Sequence, residues 1–183
     1  IAKTALKDIE RYKVTAIMAV PSMLELLIRD DAFEAADVSS LRVVQSSGSA
    51  VSVESLRRIM KKLGIRHLLM GYGQTECSPA MTNSRVTDPI ELRVSTVGRL
   101  LPHVEGKIID PETGKEQPYG VPGEIVTRGY HLMKGYYKMP EATRQAIDEE
   151  GWLHTGDIGT MDEQGYFKVT GRLKDMIIRG GEN

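Results

Sequence analysis

One glycine-rich stretch, Gly71-Tyr72-Gly73-Gln74-Thr75-Glu76, combines residue types that can bind a planar ligand and a metal ion. Tyr72 offers a flat aromatic face, and the glycines on either side of it let the backbone approach a ligand closely. Thr75 offers a hydroxyl donor, and Glu76 offers the hard oxygen ligand that Mg²⁺ prefers. An ordinary tight turn, with Tyr72 packed and Glu76 solvated, is the alternative interpretation of the same spacing.

A second candidate is the small-residue loop Ser47-Gly48-Ser49-Ala50, which can form the floor of a pocket for a flat base. The pattern by itself also fits an ordinary turn from a strand to a helix. This loop and the stretch that begins at Gly71 both follow predicted strands of one parallel sheet, and ligands bind at the carboxyl ends of such strands. Two loops of this kind at one edge of the sheet are therefore more informative than either alone.

The third candidate pairs Asp157, which ends Thr155-Gly156-Asp157, with Arg172 farther along the chain. If 162–165 forms a four-residue turn, Asp157 lies opposite residue 170, and Arg172 is two positions beyond, within reach of a diagonal cross-strand neighbour. A carboxylate and a guanidinium placed in this way can hold adjacent hydroxyls of a ribose. The alternative is a cross-strand ion pair, which contributes about 0–1 kcal/mol if it is exposed.

The other reactive residue types carry weaker patterns. Cys77 is the single cysteine, so it cannot form an internal disulfide. It has no evident base partner, and a small buried residue is favoured over a nucleophile. Four histidines, His67, His103, His131 and His154, are scattered along the chain without metal-ligand spacing.

The residues before about 95 predict alternating helices and strands, which would position the first two candidates. Apolar residues at helical spacing predict the helices, and short apolar runs predict the strands. The clearest helix has one apolar stripe, begins after the N-cap Ser52 and ends at Gly64. Strand, helix and strand at this spacing imply a parallel sheet with a crossover helix. The predicted order is helix 1–13, strand 14–20, a helix opening at Pro21, strand 41–44, helix 52–63 and strand 66–70.

Short apolar stretches separated by turn signals fill the rest of the chain. The turn signals contain Asp, Pro and Gly, as in 110–114 and 119–123, and one helix is predicted over about 140–149. This pattern predicts antiparallel hairpins in a small barrel-like or sandwich unit. The predicted fold class is therefore α/β: part of a parallel-sheet α/β domain over 1–95, followed by a small antiparallel β-barrel-like subdomain over 96–172.

Composition limits the classes of function. The 183 residues include 24 Lys and Arg against 25 Asp and Glu, for a net charge of -1, so no global charge attracts nucleic acid or an acidic membrane. No apolar run approaches the length of a membrane span, and no secretory signal is evident. One cysteine fits a reducing compartment, so we expect a cytoplasmic protein. Because the chain begins at Ile1 and not at Met, we expect a piece of a longer protein.

Four motifs, in order, resemble those of the adenylate-forming enzyme superfamily, and the resemblance covers nearly the whole chain. Within the superfamily, Cys77-Ser78-Pro79 and the last residues, Gly180-Gly181-Glu182-Asn183, are most similar to acyl-CoA synthetases of the fatty-acid–CoA ligase branch. The resemblance implies a fragment of the N-terminal domain, with the hinge and the start of a truncated C-terminal domain over 173–183. The motifs are Gly71-Tyr72-Gly73-Gln74-Thr75-Glu76, Gly123-Glu124-Ile125 with Gly135-Tyr136-Tyr137, Gly151-Trp152-Leu153-His154-Thr155-Gly156-Asp157, and Gly171-Arg172-Leu173-Lys174-Asp175.

The resemblance also implies roles for individual residues. Residues of the nucleotide site would be Gly48, Ser49, Ala50, Gly71, Tyr72, Gly73, Thr75, Asp157, Val169 and Arg172. The first three would line the adenine site, and Tyr72 would stack on the adenine. Asp157 would hold the ribose hydroxyls, Arg172 would support Asp157, and Val169 would pack nearby. Thr75 would bind a phosphate and Glu76 would bind Mg²⁺, and both would take part in catalysis. Lys174 would lie at the hinge about which the C-terminal domain rotates.

The activity implied by the resemblance is an acid–thiol ligase reaction in two steps. A carboxylate, preferably of a fatty acid, attacks the α-phosphorus of ATP and gives an acyl-adenylate and pyrophosphate. The thiol of CoA then displaces AMP. The implied cofactors are ATP and Mg²⁺, with CoA as co-substrate. The expected partners are these small molecules, with no nucleic acid and no membrane span.

Two parts of the superfamily's machinery are missing from the sequence. These are the Ser/Thr/Gly-rich phosphate loop and the C-terminal lysine that contacts the substrate carboxylate. We therefore expect the 183-residue piece to be inactive by itself, and its stranded sheet edges to promote self-association. Two alternatives stay open: an adenylation module that loads the thiol of a carrier protein, and a module that binds nucleotide without turnover.

Overall fold

The computed structural model describes residues 2–47 and 51–173. Two compact units share these residues. The first contains the chain as far as Gly71, together with Ser84–Ser95, and the second contains Tyr72–Asn83 and the chain from Thr96 onward. Segment 72–83, which carries most of the first candidate motif, therefore belongs with the antiparallel part of the protein.

The first unit is built on three parallel strands with helices between them. Ala16 in the first strand pairs with Val43 in the second, and Val43 also pairs with His67 in the third. The parallel sheet predicted from the strand–helix–strand spacing is confirmed. Its elements are α1 (Ala2–Tyr12), β1 (Ala16–Met18), α2 (Pro21–Arg29), β2 (Val43–Ser46), α3 (Val53–Leu63), β3 (His67–Tyr72) and α4 (Ile90–Ser95).

Helix α3 shows why these residues fold as predicted. Its Leu56 and Ile59 side chains are almost completely buried in the apolar core of the first unit. The hydroxyl of Ser52 accepts a hydrogen bond from the Ser55 N–H at 3.1 Å, which satisfies a backbone donor that the first turn leaves without a partner. Gly64 ends the helix in the left-handed conformation, with φ of 65°, which costs glycine little.

The second unit contains a four-stranded antiparallel sheet in the order β6-β7-β8-β9 and a short antiparallel pair formed by β4 and β5. Ile125, Leu153 and Phe167 are buried in its core. The predicted combination of a parallel and an antiparallel sheet is thus confirmed. The elements are β4 (Thr82–Asn83), β5 (Arg99–Leu100), β6 (Val104–Ile109), β7 (Gly123–Gly129), α5 (Pro140–Ala146), β8 (Leu153–Met161) and β9 (Phe167–Arg172).

The register of the β8–β9 hairpin differs from the predicted one by two residues. Met161 pairs with Phe167, so the connecting loop has one residue more than the four assumed from the sequence. A bulge on β9, where Thr170 is extra opposite the step from Ile158 to Gly159, adds the second residue of the shift, and Asp157 then pairs with Arg172 and not with residue 170. The predicted register was therefore wrong, and the observed one places the two charged residues directly opposite each other.

Among the described residues, no helix combines the length and the apolar character needed to span a bilayer.

Candidate functional site

Asp157 is a buried carboxylate that two side chains hold from different directions. It lies on β8 and is only 5% exposed. The phenol of Tyr72 donates a hydrogen bond to its Oδ2 at 2.7 Å, and Arg172 Nε donates to its Oδ1 at 2.9 Å. Because a buried carboxylate is costly unless hydrogen bonds and an opposite charge compensate it, these two donors explain how Asp157 is accommodated.

Tyr72 anchors this arrangement from the apolar core of the second unit, where it packs in one cluster with Cys77 and Met81. Burial raises the pKa of the Tyr72 phenol well above its ordinary value, and the hydrogen bond to Asp157 acts in the same direction. The phenol therefore stays protonated and remains a donor throughout the physiological pH range. Val169 on β9 is partly buried against the same cluster.

The segment after Tyr72 is a tightly packed turn. A Cβ atom at Gly73 would lie 2.1 Å from the carbonyl oxygen of Pro79, so only glycine fits there. The buried thiol of Cys77 accepts a hydrogen bond from the Gln74 N–H at 3.1 Å, and burial raises the pKa of this thiol. Cys77 is thus a small buried residue, as the sequence predicted, and an unactivated thiol. The turn leaves the Thr75 side chain exposed.

Glu76, the next residue of this turn, is held in place by a segment 60 residues farther along the chain. The phenol of Tyr136 donates to Glu76 Oε1 at 2.8 Å, and the Met133 N–H donates to the Glu76 carbonyl oxygen at 2.8 Å. The hydrogen bond to Glu76 raises the pKa of the Tyr136 phenol. In the sequence, Tyr136 belongs to the motif Gly135-Tyr136-Tyr137. Nothing in the spacing along the chain links Tyr136 to Glu76, so its role could not be predicted.

The donor set at Glu76 fits the magnesium ion that the resemblance implies. In the part of the chain that the structure describes, no group of three or more His, Cys, Asp or Glu residues could hold a metal ion by itself. Mg²⁺ commonly binds through one or two carboxylates and takes its other ligands from water and substrate phosphates. Glu76 is a half-buried carboxylate of the required kind.

A second buried carboxylate, Glu124 on β7, contacts the motif that carries Asp157. Glu124 Oε1 accepts a hydrogen bond from the Gly156 N–H at 3.0 Å, and Glu124 Oε2 lies 2.9 Å from His154 Nδ1. The sequence analysis gave Glu124 no role. The sequence signal for its role is an acidic residue next to the apolar Ile125 and Val126 in one strand. Ionised residues are seldom buried unless they are paired, so a paired, buried carboxylate could have been predicted there.

The structure brings together some of the predicted site residues. Tyr72, Asp157 and Arg172 are joined by hydrogen bonds, with Val169 in the same apolar cluster as Tyr72. Thr75 and Glu76 follow Tyr72 in the same unit, whereas Gly71 belongs to the first unit. Gly48, Ser49, Ala50 and Lys174 lie outside the described residues.

Comparisons with known proteins agree on one family. The profile of the family described as AMP-binding enzyme matches residues 2–137. A Bacillus subtilis (strain 168) protein named "Putative acyl-CoA synthetase YngI" is 48% identical over 180 residues, which are 98% of this chain and 33% of YngI. The mouse mitochondrial medium-chain acyl-CoA ligase ACSF2 is 40% identical over 181 residues, which are 99% of this chain and 29% of ACSF2. The chain therefore spans about a third of the length of these relatives.

Solved structures give the same picture of the fold. The crystal structure of ATP-bound MatB from Rhodopseudomonas palustris is 33% identical and superposes with a TM-score of 0.86. The match covers 100% of this chain and 35% of the MatB chain. Both units of the protein therefore have counterparts in one solved relative.

Proposed function

The chain belongs to the AMP-binding enzyme family, and on this premise we propose that it forms the nucleotide-recognising part of an AMP-forming acyl-CoA synthetase. The reaction of the whole protein joins a carboxylic acid to ATP, with release of pyrophosphate, and then transfers the acyl group to the thiol of CoA. The relatives that match the full chain and carry acyl-CoA synthetase or ligase names support this proposal.

The hydrogen-bonded Asp157 carboxylate is the observation that carries the proposal. A carboxylate has about four acceptor positions on its two oxygens, and Tyr72 and Arg172 use one on each oxygen. The remaining positions can accept hydrogen bonds from two adjacent hydroxyls, which is what the 2′ and 3′ positions of a ribose offer. The two protein donors fix the carboxylate plane, so little orientation is lost when a ribose binds.

The other predicted residues complete the proposed nucleotide site. Thr75 donates its exposed hydroxyl to a phosphate oxygen, and Glu76 supplies a carboxylate ligand to magnesium. Glu76 would hold the Mg²⁺, which would supply charge neutralisation for the phosphates when bound. In this proposal Gly48, Ser49 and Ala50 line the adenine and Tyr72 stacks on it, while Lys174 lies at the hinge.

We propose a medium- or long-chain fatty acid as the carboxylate substrate and CoA as the acceptor. The similarity to ACSF2, which is named as a medium-chain acyl-CoA ligase, supports the fatty acid. The chemistry at the nucleotide end is the same for any carboxylate, so the choice of acid depends on the acyl pocket of the longer protein. A panel of acids and acceptors is therefore part of the test.

The test uses the longer protein that contains this chain and measures acid-dependent exchange of pyrophosphate into ATP. We expect exchange with fatty acids and thioester formation with CoA. Replacing Glu76 with Ala should lower the Mg²⁺-dependent exchange by more than about tenfold, as expected for loss of a charge-neutralising interaction. The matched control is Glu163→Ala in the exposed β8–β9 loop, which should leave exchange unchanged.

Three outcomes would overturn parts of the proposal. No exchange with any acid would leave a protein that binds nucleotide without turnover. Exchange followed by transfer to a carrier-protein thiol and not to CoA would identify an adenylation module. Exchange that survives within a few-fold in Glu76→Ala would exclude Glu76 as the metal ligand.

We further propose that the 183-residue chain is inactive by itself, associates with itself and comes from a cytoplasmic enzyme. Pyrophosphate release by the isolated chain would contradict its inactivity. A monomeric light-scattering mass at high concentration would contradict self-association. Fractionation of cells that express the longer protein tests the compartment.

A further inference from the structure

The β7–β8 ladder is interrupted where the motif with Asp157 lies. Glu124 pairs with Ile158 and Val126 pairs with His154, so the single β7 residue between them, Ile125, lies opposite three residues on β8. These three are Thr155, Gly156 and Asp157 itself, two more than a regular ladder would place there. Gly156 has a φ of 69°, a conformation that strands do not contain. A bulge of this kind redirects side chains out of the regular alternation, and here it sets the direction of Asp157.

Side-chain hydrogen bonds replace the ladder bonds that the bulge removes. Glu124 Oε1 accepts from the Gly156 N–H at 3.0 Å. The Thr155 hydroxyl donates to the Ile125 carbonyl oxygen at 2.6 Å and accepts from the Asp157 N–H at 3.1 Å. Each of the three bulge residues is therefore tied by a side-chain bond.

Glu124 is the most costly of these groups to place, because its carboxylate is only 7% exposed. Burial of a carboxylate is unfavourable unless hydrogen bonds compensate it. Its two oxygens face the Gly156 N–H and His154 Nδ1, at 3.0 and 2.9 Å. Both partners lie in the segment from His154 to Asp157, so the compensation for burial is available only when the bulge has this conformation.

We propose that Glu124 is a positioning residue: its carboxylate fixes the bulge at Gly156 and thereby aims Asp157 at the ribose of the nucleotide. The part of this inference that concerns the ribose rests on the proposed function. Glu124 contacts the backbone and the imidazole of the motif, whereas Asp157 makes the contact with the ligand.

The first experiment measures amide hydrogen exchange by NMR on the longer protein that contains this chain, without nucleotide. The Gly156 amide should be protected although it lies in a bulge, because exchange requires its hydrogen bond to open. Glu124→Ala should raise the exchange rate of Gly156 and Asp157 by more than about tenfold, and should leave the Thr160 amide unchanged. Glu124→Gln should keep the protection within about threefold, since the amide oxygen also accepts a hydrogen bond.

A matched control is Glu105→Ala on the neighbouring strand β6, where the carboxylate is 57% exposed and pairs with Arg128. This variant should not change the exchange of Gly156. Unprotected exchange of Gly156 in the unsubstituted chain would overturn the proposal without any variant, even if Glu124→Ala did not fold. Unchanged exchange of Gly156 in a folded Glu124→Ala variant would overturn it as well.

The second experiment compares ATP with 2′,3′-dideoxy-ATP in the longer protein. Glu124→Ala should raise the Kd of ATP by about tenfold or more and change the Kd of the dideoxy analogue by less than about twofold, because the analogue lacks the hydroxyls that Asp157 would hold. Equal losses for both nucleotides would contradict a role in aiming Asp157. No ATP binding by the unsubstituted protein would defeat the proposed function, and the exchange data would then decide the Glu124–Gly156 contact separately.

Discussion

The two units of the protein share one way of burying polar side chains and differ in another. In the first unit Ser46 Oγ donates to the Ala19 carbonyl oxygen, and in the second unit the Thr127 hydroxyl likewise donates to the Glu105 carbonyl oxygen, at 3.0 and 2.8 Å. In the second unit two carboxylates, Asp157 and Glu124, are buried against other side chains and a bulged strand. The backbone bonds complete the scaffold, whereas the side-chain bonds of the second unit fix the two carboxylates at the candidate site.

This contrast separates regular from irregular structure. Helix α3 and strands β1–β3 follow simple periodicity, and their side chains fill an apolar core. The candidate site lies where periodicity fails, at the bulges of β8 and β9 and at the tight turn after Tyr72. Bulges are common next to functional sites because they redirect a side chain that a regular strand would aim elsewhere.

The largest effect should come from the regular scaffold. Leu56 on α3 is 1% exposed, and Leu56→Ala should lower the free energy of unfolding by about 2–5 kcal/mol through lost burial and a cavity. Urea unfolding followed by circular dichroism measures this change. Val53→Ala on the same helix is the control, since Val53 is 38% exposed, and it should cost less than about 1 kcal/mol. Equal effects would mean that α3 does not bury the predicted face.

The next effect concerns the buried carboxylate of the second unit. Asp157→Ala leaves the buried Tyr72 hydroxyl without its acceptor and should lower the free energy of unfolding by about 1–3 kcal/mol. Adding Tyr72→Phe removes the unpaired hydroxyl, so the double variant should lose less than the sum of the single losses. Urea unfolding of all four proteins in the cycle measures the coupling. Strict additivity would contradict the hydrogen bond between Tyr72 and Asp157.

A smaller effect follows from the raised pKa of Tyr72. The folded chain keeps the phenolic proton at a pH where the unfolded chain, with an ordinary pKa of about 10, loses it. The unfolded state then binds fewer protons, so the free energy of unfolding falls as the pH rises. Between pH 10 and 11 the unsubstituted chain should lose about 1 kcal/mol more than Tyr72→Phe.

The control for this pH dependence is Tyr137→Phe, because Tyr137 is 84% exposed. Its stability should follow that of the unsubstituted chain over the same pH range. A Tyr72→Phe variant with the same dependence as the unsubstituted chain would mean that Tyr72 titrates normally and is not buried on Asp157.

The smallest effect is the titration of Tyr136, whose pKa the hydrogen bond to Glu76 raises. Ultraviolet absorbance at alkaline pH should show that Tyr136→Phe removes a tyrosine with a raised pKa. Glu76→Gln should lower the pKa of Tyr136 toward its ordinary value, because the negative charge is gone. A tyrosine titration in Glu76→Gln that matches the unsubstituted chain would contradict the contact with Glu76.

The scaffold was predictable because each element carries its own signal. The stripe of α3, the Ser52 cap and the Gly64 stop are local features, and they set the ends of the helix. The glycine-rich stretch around Tyr72 and the charged pair Asp157 and Arg172 could likewise be identified as candidate site residues from residue type. The order of the pieces along the chain was enough to predict a parallel sheet followed by an antiparallel one.

The contacts within the site were not predictable, because they depend on distant segments and on irregular register. The pairing of Asp157 with Arg172 needs both a longer loop and an extra residue on β9, Thr170, and neither leaves a periodic pattern in the sequence. Tyr136 reaches Glu76 across 60 residues. Spacing along the chain carries no information about such distances.

The ribose contact of Asp157 can be tested by a crystal structure of the longer protein with a non-hydrolysable acyl-AMP analogue. The ribose hydroxyls should lie within about 2.7–3.2 Å of the Asp157 carboxylate, with the purine beside Tyr72. An analogue bound with its ribose and base away from both residues would contradict it.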